Sequence, residues 1–247
     1  MMCLMMIIFP DLKTCNLFQS MDLKTIYNLY STRYSFELFY QFLNSRLQCN
    51  FFLNGGNKQL NSIKREEINC HYGDIRVDLP VMVGNEHSKY RIAILGLEPR
   101  DSNKKFNIER HKNYVYGTPF GIEYWNEKNK YYKSFNGLLN REDCFLYFTD
   151  VVKEYEVLES KMIADKNARK SFWIKAEQSE NIHFLKEEMK LINPTHIIAL
   201  GNETYAFVKK YFGEKAVKVI HPNARKNKLN NENAWDIAQK QIGSIFR

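Results

Sequence analysis

No two cysteines in this chain stand in a C-x-x-C spacing. The five present, Cys3, Cys15, Cys49, Cys70 and Cys144, are odd in number and scattered. That argues against a zinc ribbon, a deaminase-type zinc site and a disulfide framework, and fits reduced thiols inside a cell. A long apolar run is missing too. The opening MMCLMMIIFP is broken by Pro10 and Asp11 too soon to cross a bilayer, and it lacks a basic n-region. The expectation is a soluble, intracellular protein with no membrane partner, with Met21 as an alternative start. Several chemistries are absent as well. There is no G-x-x-x-x-G-K-[ST] loop, no G-x-G-x-x-G after a strand, no G-x-S-x-G elbow and no H-E-x-x-H pair. Internal repeats and low-complexity tracts are lacking, and neither a metal nor a cofactor is expected.

What is present suits a folded α/β domain. Of 247 residues, 44% are hydrophobic and 26% charged, enough to build a sizeable core. The 36 basic against 28 acidic residues leave a net charge of +8, a modest pointer to a polyanionic partner.

Residues 22–47 read as an amphipathic helix carrying Leu23, Ile26, Tyr27, Tyr30, Leu38, Phe39, Phe42 and Leu43. Residues 74–84 and 89–95 read as neighbouring strands around Gly84-Asn85, and 106–135 as mostly loop. CFLYFT (144–149) is a second apolar run, ending at Asp150. The charged stretch 153–181 reads as an inserted, mobile loop. A helix from about 180 carries Ile182, Leu185, Met189 and Ile192 and ends before Pro194. HIIAL (196–200) is a third strand. Gly201-Asn202 opens a helix with Asn202 as cap and Gly213 as stop. AVKVI (216–220) is a fourth strand, broken by His221-Pro222. A closing helix presents Trp235, Ala238, Ile242 and Ile245 on one face.

Strands separated by helix-sized stretches predict a three-layer αβα domain around a central, mostly parallel four-stranded sheet. Residues 1–70 then form an N-terminal helical extension to an α/β domain over 71–247. In such sheets the site lies outside the carboxyl ends of the strands. All four strands end in something polar or bent: Gly96-Leu97-Glu98-Pro99, Asp150, Gly201-Asn202 and His221-Pro222-Asn223.

GLEPR after a strand, GTPFG some twenty residues later, FTDVVK after the next strand and HPNAR after the last resemble, in order and separation, the uracil-DNA glycosylase superfamily. The single-strand-selective monofunctional branch is the most similar. The resemblance spans roughly residues 90–245. FTDVVK is also similar to a motif of the iron–sulfur branch, but Glu154 stands where that branch has a cluster cysteine, so no cluster is expected.

The resemblance implies cleavage of the N-glycosidic bond of a base flipped out of DNA, because the bond is unreachable within the stack. The sugar then passes through an oxocarbenium-like state. Glu98 would orient and deprotonate water, and His221 would donate a hydrogen bond to the leaving base. Gly96, Leu97, Pro99 and Asn223 would contact substrate, and Phe120 would stack on the base. Arg225 would enter the duplex, with Lys226 and Lys228 on phosphates. No lysine stands at a motif position as a Schiff-base nucleophile, and Lys153 is the nearest. The partner implied is DNA carrying a damaged base, bound by a monomer.

Asp150 departs from the pattern. Relatives that read uracil carry Asn there, whose amide both donates and accepts, whereas an ionised Asp only accepts. Three readings stay open: a protonated Asp150, a substrate bearing an exocyclic amine, or a side chain turned away with the base read by backbone groups. Two other functions compete with the glycosylase: a non-catalytic nucleic-acid-binding member of the same fold, and an unrelated small-molecule enzyme using Glu98 and His221 as acid and base.

Overall fold

The computed structural model describes residues 21–34, 75–77, 80–85, 87–98, 128–156, 174–224 and 232–246. Its centre is a mixed, mostly parallel five-stranded sheet. The strands are β2 (Val81–Val83), β3 (Tyr90–Gly96), β4 (Cys144–Asp150), β6 (His196–Leu200) and β7 (Ala216–Val219), in the spatial order β2-β4-β3-β6-β7. Four strands run parallel, aligned by the pairs Gly96↔Asp150, Leu95↔Ala199 and Leu200↔Val219. The fifth, β2, is antiparallel on the edge of β4, with Val81 opposite Phe148.

The inner strands β3, β4 and β6 match the apolar runs closely because both their faces are buried, whereas edge strand β7 exposes Lys218. Along β3, Ile92 and Ile94 face one side while Ala93 and Leu95 face the other, and all four are fully buried. Helices α2 (Lys130–Leu139) and α5 (Ala234–Ser244) cover the first side with Phe135, Leu138, Ala238 and Ile242. Helices α1 (Met21–Tyr34), α3 (Ser179–Ile192) and α4 (Asn202–Phe212) cover the second with Ile26, Leu185, Met189 and Phe207. Each fully buried Ile, Leu or Phe of these layers contributes about 1.5–3 kcal/mol relative to an exposed one.

Several expectations are corrected. The sheet has five strands rather than four. The 74–84 stretch does not pair with the strand that follows it. Its end, β2, pairs with β4, and β1 (Ile75–Val77) pairs antiparallel with β5 (Glu154–Glu156) in a separate ribbon. Gly84 permits the bend after β2. Its φ is +92°, and a Cβ there would stand 2.3 Å from the Cys144 carbonyl oxygen.

The segment 106–135 is not all loop, since α2 begins at Lys130. The Asn129 side chain caps it by accepting from the Tyr131 and Tyr132 amides at 2.8 and 3.2 Å. The ends of 153–181 are structured too, as Lys153, β5, a helical turn at 174–176 and the start of α3. Asn202 does not cap α4. Gly201 occupies the cap position at φ +90°, and Asn202 is the first helical residue. Of the first helix, Ile26 and Tyr30 are buried as expected, while 35–47 lies outside the described residues. Among the described residues, no helix is long and apolar enough to cross a membrane.

Candidate functional site

The chain leaves β3, forms β4 on one side of it, then returns to form β6 on the other. The connections diverge between β3 and β6, and a crevice opens there at the carboxyl ends in doubly wound sheets. Gly96 pairs with Asp150 at the last register position. Beyond it, Val151 N–H donates to the Gly96 carbonyl and Val152 N–H to the Leu97 carbonyl, both at 3.0 Å. These bonds carry the ladder over the rim and deliver Glu98 beside the end of β4. From the other side, Gly201 N–H donates to the Val219 carbonyl at 2.8 Å. A Cβ on Gly201 would stand 3.5 Å from the His221 Cβ, so the β6 and β7 exits abut.

Strand parity decides where Asp150 belongs. Leu146, Phe148 and Asp150 alternate onto the α2 side, while Tyr147 and Thr149 alternate onto the α1/α3 side. Asp150 is 3% exposed. Tyr131, in the first turn of α2, lies within reach of its charge. Burial first, and then the nearby Asp150 charge, push the Tyr131 phenol well above its ordinary range, while a hydrogen bond from Asn223 works against both. The phenol therefore stays protonated at any working pH.

Tyr131 also reaches the β7 exit. Its oxygen lies 3.2 Å from His221 Nε2 and accepts from Asn223 Nδ2 at 3.2 Å. The two rings meet edge to face at 5.7 Å and 80°. The Asn223 backbone N–H donates to His221 Nδ1 at 3.2 Å. A backbone N–H can only donate, so Nδ1 carries the lone pair and the neutral imidazole holds its proton on Nε2.

Of the residues singled out by sequence, His221 and Asn223 contact Tyr131, and Asp150 lies close enough for its charge to act on the Tyr131 phenol. Gly96, Leu97 and Glu98 stand at the neighbouring strand end, with Leu97 and Glu98 half-buried. Pro99, Phe120, Arg225, Lys226 and Lys228 lie outside the described residues. Tyr131 went unrecognised because its segment was read as loop. The signal was present: a crossover helix after a parallel strand starts at the carboxyl rim, and Asn129 marks that start.

Lys153 is not an available amine. Its Nζ lies 2.7 Å from Glu188 Oε2, donates to the Asp150 carbonyl at 2.6 Å, and also donates to Thr149 Oγ1. Both charged side chains are 0% exposed. Glu188 Oε1 accepts from Tyr30 Oη at 2.8 Å, from Thr149 Oγ1 at 3.3 Å and from the Tyr147 hydroxyl. Helix α1 is thereby tied to the layer beneath Asp150. The one described cysteine, Cys144, is buried, and burial raises its thiol to about 11, so it is no nucleophile. Among the described residues, no group of three or more His, Cys, Asp or Glu side chains could hold a metal ion.

The rim thus combines an oriented imidazole N–H, a protonated phenol and two acidic side chains of different burial. Such a set can hold a polar planar ligand and donate to an oxygen that gains negative charge. No family model matches the sequence, and no curated protein matches it.

Proposed function

We propose that this protein is a monofunctional DNA glycosylase of the uracil-DNA glycosylase fold, hydrolysing the N-glycosidic bond of a flipped-out base. The observation that carries the reading is that Tyr131, bonded to His221 and Asn223 on the carboxyl rim of the parallel sheet, also lies within reach of the Asp150 charge. Asp150 and His221 come from two of the four motif positions that resemble the superfamily, and a third, Glu98, ends the strand paired with that of Asp150.

In this reading the His221 Nε2–H donates to the carbonyl oxygen of the leaving base as its N-glycosidic bond breaks. Glu98 receives a proton from the attacking water, and the sugar carbon gains the hydroxyl. Phe120 stacks on the base, and Arg225, Lys226 and Lys228 hold the DNA. The burial of Lys153 among oxygen partners supports water rather than an amine as nucleophile. The product is an abasic site in an otherwise intact strand.

Asp150, beside a protonated phenol, sets base preference. An ionised carboxylate faces a uracil oxygen with like polarity, and an unpaired buried polar group costs about 1–3 kcal/mol. Asp150→Asn supplies an N–H donor and should raise uracil excision relative to bases bearing an exocyclic amine. The test is a panel of uracil, hypoxanthine, xanthine and oxidised pyrimidines, in single- and double-stranded oligonucleotides, read by alkali cleavage. Scission at one or more of these bases is the expected result. Oligonucleotide binding with no scission at any of them would leave a non-catalytic binding protein. An Asp150→Asn variant with unchanged base preference would remove Asp150 from base reading.

A further inference from the structure

We propose that Tyr131 is a positioning residue for His221, its phenol oxygen seated 3.2 Å from both the imidazole Nε2 and the Asn223 side-chain nitrogen. The catalytic consequence rests on the glycosylase reading; the ring placement it enforces does not.

Three contacts among the described residues orient the imidazole. The Asn223 backbone N–H on Nδ1 places the proton on Nε2. The Tyr131 oxygen accepts that proton's hydrogen bond and so fixes rotation about the ring axis. The edge-to-face contact with the Tyr131 ring, at 5.7 Å and 80°, fixes the tilt. Two of the three come from one side chain on α2, which contributes none of the sequence motifs.

Tyr131 is itself held by local structure. Its backbone N–H donates to the capping Asn129 side chain at 2.8 Å, and it lies in the first turn of a helix whose Phe135, Leu138 and Leu139 are buried against the sheet. The position of His221 is therefore set by the core as well as by its own loop. Burial and the Asp150 charge keep the phenol protonated, so its oxygen remains an ordinary neutral acceptor. When a base enters, the Nε2–H is shared between the phenol oxygen and the base carbonyl, so Tyr131 still holds the ring as the bond breaks. No proton is transferred, and the imidazole needs only a small shift.

Tyr131→Phe tests the assignment because it keeps the ring contact and the fold while deleting the oxygen. In the full-length protein labelled with 15N-histidine, wild-type His221 should show two distinct imidazole nitrogens, with the proton on Nε2. In the variant the Asn223 N–H should keep the proton on Nε2, and the Nε2 signal should move from its wild-type position because it has lost its acceptor. Turnover on whichever base the wild type excises should fall about tenfold with KM unchanged, the size expected for losing one neutral hydrogen bond. A variant with the wild-type nitrogen signature and turnover, or a wild-type His221 protonated on Nδ1, would overturn the assignment. If the wild type excises no base, the glycosylase reading fails, and the nitrogen signature alone then decides the role of Tyr131.

Discussion

Lys153→Met should destabilise the protein by about 3–5 kcal/mol, the cost of leaving one partner of a buried ion pair without its counter-charge. The reason lies in what remains. Glu188 is 0% exposed and would keep its carboxylate among Tyr30, Tyr147 and Thr149 with no other cation paired to it among the described residues. Hydroxyl donors on one oxygen do not replace an ammonium at 2.7 Å on the other. The Asp150 carbonyl would lose its 2.6 Å donor in the same step, at the edge of the candidate site. Glu188→Leu should cost a similar amount by stranding the ammonium. The double variant should be less harmful than either single change, because an apolar pair of similar volume leaves no charge in the core. Urea denaturation of all four proteins gives the coupling directly. Single variants within about 1 kcal/mol of wild type would show that water reaches the pair, against its complete burial.

The same pair shows where sequence reading stops. Glu188 sits in LKEEMK, and a charged residue in such a run reads as solvent-facing. Yet it lies three residues after Leu185 and four before Ile192, on the apolar stripe itself, and the structure buries it there. The signal was available; the partner was not. Lys153 is distant in sequence, and its stretch reads as a charged loop, so nothing local joins the two residues. Pairing that depends on tertiary closure was lost in the same way. The edge strand β2 has the right composition, but its placement on β4 rather than β3 follows from the order of the whole sheet.

By contrast, the parallel strands β3, β4 and β6 were legible because each must be apolar on both faces, and the edge strand β7 was legible from a run that only Lys218 interrupts. HIIAL, 196–200, matches its strand residue for residue. Their polar exits at Glu98, Asp150, Gly201 and His221 were legible as well, since a parallel sheet sends every such end to one rim. What no run of residues displayed was the side chain in the middle. Tyr131 belongs to the cover of the sheet, and its place depends on where a helix begins.

His221→Ala should lower turnover by about 100- to 1000-fold while leaving DNA affinity nearly unchanged. That is the effect of deleting one preorganised donor aimed at developing charge. The two quantities separate for a physical reason. Affinity for a polyanion comes mainly from phosphate contacts and counterion release, in which a neutral imidazole takes no part. In the proposed glycosylase reaction the Nε2–H instead meets an oxygen that is only partly negative in the bound base and becomes anionic as the bond breaks, so its contribution grows between ground and transition states. In kinetic terms kcat and kcat/KM should fall together. The geometry also predicts asymmetry between neighbours. Tyr131→Phe removes the acceptor but keeps the donor, so it should cost far less than His221→Ala. In the Tyr131→Phe background, His221→Ala should add less than it does alone, because part of what it removes is already lost. Parallel falls in binding and turnover for His221→Ala would make it a structural residue of the β7 exit. Full additivity of the two changes would uncouple them, despite the 3.2 Å contact between their side chains.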